Sequence, residues 1–161
     1  MEKRKRVSYA EGDWFAVPLR TNGFAVGRVA RANHKAGVSL GYFFGPKLGS
    51  VPTQGQVEFL KPNSAILVRR FSDLGLLIGR WPRISSPKLK RAEWPVPRFL
   101  RQDPITGKSY TVTYSDDGIT ESSLERSSPG EPDLLPKDGV LGDGAVEIVL
   151  TKLLDEEFQY P

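Results

Sequence analysis

The chain has no cysteine and a single histidine in 161 residues. Without a thiol there is no disulfide framework, no thiolate nucleophile and no zinc site of the cysteine type. Any catalytic triad or His-metal cluster would have to be built around His34 alone. That residue falls in the polar turn HKAG beside Lys35, where a solvated surface side chain is the simpler reading. Long apolar runs are missing too. Nothing approaches the roughly 18 apolar residues of a membrane helix, and the opening MEKRKR leads into no apolar signal core. The carboxylate runs Asp116-Asp117 and Asp155-Glu156-Glu157 lack the spacing of a calcium loop, and GYFFGPKLGS lacks the glycine and lysine order of a phosphate loop. These shortages lead to the expectation of a cytoplasmic protein that is not an enzyme, needs no cofactor or metal and has no membrane association.

What is present points to β structure. The chain is long enough for one domain with its own core, and its 16 Gly and 13 Pro imply many turns. GDWFAVPL (Gly12 to Leu19) and GFAVGRVARAN (Gly23 to Asn33) read as strands joined through the hairpin signal RTNG, the second bent near Gly27. VSLGYFFG (Val38 to Gly45) reads as a third strand. Its Tyr42, Phe43 and Phe44 cannot share one side of a pleated strand, so one ring is expected to be exposed or to cover a sheet edge. Pro46 to Gln56 reads as a loop, QVEFL and AILVRRFSD as strands, and LGLLIGRWPRI as a strand whose glycines permit close packing. A proline-rich connection then leads to a short strand near Phe99, followed by the strand SYTVTYSDD.

Beyond it, residues 115–138 are polar, acidic and Pro-containing, the composition of a mobile loop. In DGAVEIVLTKLLDEEF, Val146, Val149, Leu150, Leu153 and Leu154 fall at helical spacing with Asp143 placed to cap, while a strand reading would pair Val146, Ile148 and Leu150. The expected fold is mainly β, a strongly bent antiparallel sheet or SH3-like open barrel with one C-terminal helix. It would consist of a basic tail at 1–10 and a single domain at 11–161.

Charge divides the chain unevenly. Residues 1–108 carry 20 Lys and Arg against 7 Asp and Glu, whereas residues 109–161 carry 3 against 12. Either two faces of opposite potential result, or the acidic third folds back on the basic body. Lys3, Arg4, Lys5, Arg6, Lys88, Lys90 and Arg91, with Tyr42 or Phe44 stacking on bases, would suit a nucleic-acid-binding β-barrel. The acidic third opposes that alternative by repelling the same backbone.

The ordered series GDWFAVPL, GFAVGRVAR, FSDLGLLIGRWPRI, WPVPRFLRQD and GAVEIVL resembles the immunity protein 26 family of bacterial polymorphic toxin systems. The likeness runs from about Glu11 to Leu154. It is carried by Gly12, Phe15, Pro18, Gly27, Arg28, Phe71, Gly75, Gly79, Trp81, Pro82, Trp94, Pro95, Pro97 and Phe99. It implies a mainly β protein that binds and neutralises a toxin domain without catalysis, the partner being that protein. These shared residues read as structural, with Gly75 and Gly79 relieving a strand and Pro82 ending its pairing. Partner contacts are expected on exposed loops: Pro46 to Gln56, and Ser115 to Asp138 with its acids Asp116, Asp117, Glu121, Glu125, Glu131 and Asp133.

Overall fold

A computed structural model describes residues 8–155, the side chain of Asp133 excepted. Lys3, Arg4, Lys5, Arg6, Glu156 and Glu157 lie outside the described residues. The strands are β1 (Trp14–Pro18), β2 (Phe24–Asn33), β3 (Val38–Leu48), β4 (Leu67–Ser72), β5 (Arg83–Ser85), β6 (Phe99–Gln102), β7 (Ser109–Tyr114), β8 (Glu121–Arg126) and β9 (Val140–Leu141). The helices are α1 (Gln54–Val57), α2 (Leu74–Leu77) and α3 (Asp143–Leu154). A six-stranded sheet runs β5-β1-β2-β3-β4-β9, and β6-β7-β8 form a smaller one. Every pairing between these strands is antiparallel except β4 with β9, and an isolated parallel bridge joins Leu100 to Lys137. The fold is mainly β with one C-terminal helix, as expected, but the sheets stay open and no barrel closes among the described residues.

Alternation along the first three strands feeds two cores, one on each face of the large sheet. Phe15, Val17, Val29, Phe43 and Phe71 join Trp81, Leu76, Val146 and Leu150 on one face. Trp14, Val26, Leu40, Tyr42 and Phe44 join Trp94, Phe99, Val112 and Tyr114 on the other. This double cover corrects the expectation for the three adjacent rings. Tyr42, Phe43 and Phe44 are all buried, because α3 and Trp81 cover Phe43 while the small sheet and Trp94 cover its neighbours. A residue with no side chain makes room for a ring within the sheet: a Cβ on Gly27 would stand 2.4 Å from the ring of Phe15, its cross-strand partner.

β2 is bent as expected, with register shifts between Phe24 and Val26 and between Val29 and Arg31. Three other segments differ from their sequence reading. QVEFL is not a strand: Gln56 Oε1 accepts the Thr53 main-chain N–H at 2.9 Å, and this T-x-x-Q pair starts the single turn of α1. β3 runs on past Pro46 to Leu48, so the loop before α1 is shorter than expected. LGLLIGRWPRI is not one strand either. It forms α2 and then reverses at Gly79, whose φ is +76°, so that the Trp81 N–H reaches the Gly75 carbonyl at 3.0 Å. Trp81 thereby lies flat over Gly75, where a Cβ would meet the indole at 2.7 Å. Pro82 begins the pairing with β1, its carbonyl accepting the Ala16 N–H at 2.8 Å.

The acidic segment 115–138 contains strand β8 and a 3-10 turn at Glu131–Asp133. Residues 143–154 are helical, which resolves the strand alternative. Gly142 rather than Asp143 is the N-cap, and Asp143 sits in the first turn, where its carboxylate receives Arg80. The core also begins before Glu11: Tyr9 is buried, and its hydroxyl donates to Asp73 Oδ2 at 2.6 Å.

Candidate functional site

The aromatic signature residues fall in the two cores, Phe15, Phe71 and Trp81 in one and Trp94 and Phe99 in the other, whereas Gly79 and Pro95 are exposed. Trp81 stacks on Phe15 with ring centroids 5.7 Å apart and an interplanar angle of 6°, and it leans on Phe71. Trp94 meets Trp14, Tyr42 and Phe44 edge to face. The Arg28 guanidinium lies between Trp14 and Trp94, 4.9 and 4.7 Å from their centroids, and its Nε donates to the Gly12 carbonyl. Burial lowers the Arg28 pKa, and Glu93 opposes that shift. Pro95 offers its carbonyl to the Tyr42 hydroxyl. With Tyr42 and Phe44 buried, the rings proposed for stacking on bases are unavailable for it.

The acidic third folds back on the basic body, and most of the candidate acids are engaged. Asp116 Oδ1 accepts Arg31 Nη2 at 2.8 Å and its Oδ2 accepts Arg91 Nη1 at 2.9 Å, which holds the carboxylate below its ordinary pKa. Arg31 is 2% exposed at its side chain and also donates to the Ala30 and Trp94 carbonyls. Asp117 turns inward on its own loop, binding the Thr120 hydroxyl and the N–H groups of Ile119 and Thr120, and its pKa is strongly lowered. Glu121 pairs with both terminal nitrogens of Arg101. Glu131 accepts the Ser128 N–H and the Thr111 hydroxyl and pairs with Arg98. Glu125 is exposed on β8 opposite Thr111, and Asp133 lies in the 3-10 turn.

Two buried carboxylates that the sequence reading did not single out tie the elements together. Glu147, on the inner face of α3, accepts Arg20 Nε at 3.1 Å, Arg80 Nε at 2.9 Å and the Trp81 indole N–H at 2.8 Å. Asp138 accepts Arg70 Nη2 at 3.2 Å, Arg101 Nε at 2.9 Å and the Tyr114 hydroxyl, so it joins β4 of the large sheet to β6 and β7 of the small one. Burial would raise the Asp138 pKa, but the bonds from Tyr114 and Arg101 outweigh it and the net shift is downward. The available signal for Glu147 is an acid one turn before Leu150, on the apolar stripe of the helix.

Two apolar depressions open on the surface. One, of about 480 Å³, is lined by Gly45, Pro46 and Leu48 of β3 and by Gly55, Val57 and Phe59 around α1. Phe59 remains 66% exposed beside it. The other, of about 450 Å³, runs between β4 and α3 and is closed by Leu134, Leu135, Pro136 and Lys137. Leu134 is 82% exposed and Leu153 51%. The two loops expected to meet a partner thus each contribute a wall to one depression. His34 is exposed and packs against the Tyr9 ring at 4.5 Å. Among the described residues no three His, Cys, Asp or Glu side chains converge as a metal site, and no helix is long and apolar enough to cross a membrane.

The family model for immunity protein 26 matches residues 10–111. The chain belongs to the immunity protein 26 family. The matched stretch covers the large sheet through β5, both aromatic cores' signature residues and the start of the small sheet. It stops inside β7, so GAVEIVL, counted earlier in the likeness, lies beyond it. Comparisons with curated proteins and with solved structures each returned no match. Immunity protein 26 membership suggests a role against a toxin by protein binding rather than by chemistry.

Proposed function

We propose that the protein acts in the bacterial cytoplasm as the immunity partner of a polymorphic toxin, binding the toxin domain and neutralising it without catalysis. Membership of the immunity protein 26 family carries this reading. Two features of the surface support it. Large apolar side chains stand exposed around two concavities on a rigid double-cored sheet, the form that protein anchors fit. The candidate acids Asp116, Asp117, Glu121 and Glu131 are engaged within the chain, which leaves their carboxylates less available to a partner. Contact is therefore assigned to one of the apolar depressions rather than to these acids.

The test is co-expression with the C-terminal domain of the protein encoded directly upstream. Survival of the host and co-purification of a complex are expected. Equal killing with and without this protein, and no complex, would overturn the reading. A mobility shift with short oligonucleotides that fades with salt would instead favour nucleic-acid binding.

A further inference from the structure

Of the two depressions, the one beside β4 combines features that specify its occupant. β9 pairs with β4 only at Arg70 and Phe71, so Leu67, Val68 and Arg69 have no strand neighbour on that side among the described residues. An open edge presents alternate N–H and C=O groups, a template for one more strand. The walls facing it are apolar: Leu134, Leu135 and Pro136 on one side, Val149 and Leu153 of α3 on the other. The charged side chains in this lining are both cations, Arg69 and Lys137. Asp138 engages its carboxylate with Arg70, Arg101 and Tyr114 and gives Arg69 only its main-chain carbonyl, at 3.4 Å. Arg69 Nε is buried without an acceptor. The Arg69 charge is thus desolvated and incompletely answered, and burial lowers its pKa despite Asp138.

We infer that this groove receives an extended acidic segment of the toxin domain as an added strand on β4, its apolar side chains against Leu134 and Leu153 and a carboxylate on Arg69 and Lys137. The inference rests on the immunity reading and names its contact surface. Main-chain bonds along the edge supply affinity, while the alternation of apolar and acidic residues supplies selectivity.

The experiment uses the full-length chain and the upstream-encoded toxin domain. Affinity is measured for wild type, Leu134→Glu, Lys137→Glu and, at the other depression, Phe59→Glu. All three are surface changes, and unchanged thermal midpoints check that the variants fold. Amide exchange is followed with and without toxin. Leu134→Glu and Lys137→Glu are expected to weaken binding about tenfold or more, as loss of an anchor does. Phe59→Glu should leave it within about twofold, a small surface effect. Amides in Leu67–Arg69 should gain protection in the complex. Full affinity in both groove variants, or a complex without new protection on β4, overturns the inference while leaving immunity standing. Loss of self-association in Leu134→Glu, which would make the occupant a second copy, also overturns it. So does loss of oligonucleotide binding. A wild type that neither binds nor protects sinks both readings.

Discussion

Trp81 concentrates the consequences of the fold in one side chain. Its ring stacks on Phe15 and leans on Phe71, with no room for a Cβ on Gly75, and its indole N–H is held by a buried carboxylate. Trp81→Ala removes a large buried ring and leaves Glu147 with one donor fewer. The expected cost is about 3–5 kcal/mol, read as a shift of the urea midpoint. Trp81→Phe keeps most of the stack and loses the bond to a charged acceptor, so it should cost about 1.5–3 kcal/mol. If both variants unfold at the wild-type midpoint and fail to bind toxin, Trp81 belongs to the interface instead. Gly75→Ala tests the same contact from the other side. Its methyl would sit 2.7 Å from the indole, so it should destabilise although alanine ordinarily favours a helix.

At the scale of elements, what was legible in the sequence depended on how local its causes were. β1, β2, β4 and β7 are marked by branched and aromatic residues, and α3 by its apolar spacing. LGLLIGRWPRI reads as a strand yet folds otherwise, because its apolar residues serve a turn that closes only when Trp81 folds onto Gly75, a contact no propensity encodes. The burial of Tyr42, Phe43 and Phe44 together required knowing that both faces of the sheet are covered. The groove beside β4 was invisible for the same reason, since it is assembled from β4, α3 and the Leu134–Lys137 segment. α3 lies beyond the family match yet seals one core through Val146 and Leu150, both fully buried. Leu150→Ala is accordingly expected to lower stability by about 2–5 kcal/mol. One cooperative transition followed by both near- and far-ultraviolet dichroism would show α3 to be part of the same folding unit. A separate early transition would detach it.

Over the whole molecule, the acidic third neutralises the basic body at close range, and stability should follow the pH at which those carboxylates take up protons. Asp116 is held low by Arg31 and Arg91, Glu131 by the Ser128 N–H and the Thr111 hydroxyl, and Asp138 by Tyr114 and Arg101 against the opposing effect of burial. For each, the folded pKa lies below the unfolded value of about 4. The contribution is therefore complete above that value and is lost as pH falls through the lower folded pKa. Tyr42 and Tyr114 act in the opposite range. Burial raises both to about 12, so their contribution is complete below the unfolded value near 10 and is lost as pH rises toward 12. The urea midpoint should show no decline from these groups between about pH 5 and 9, and should fall on either side of that window. Asp138→Asn keeps the shape of the junction between the sheets and removes one depressed carboxylate. It should be less stable than wild type at neutral pH and should lose less on acidification. A variant that parallels wild type down to pH 3 would mean that Asp138 does not couple the two sheets through its charge.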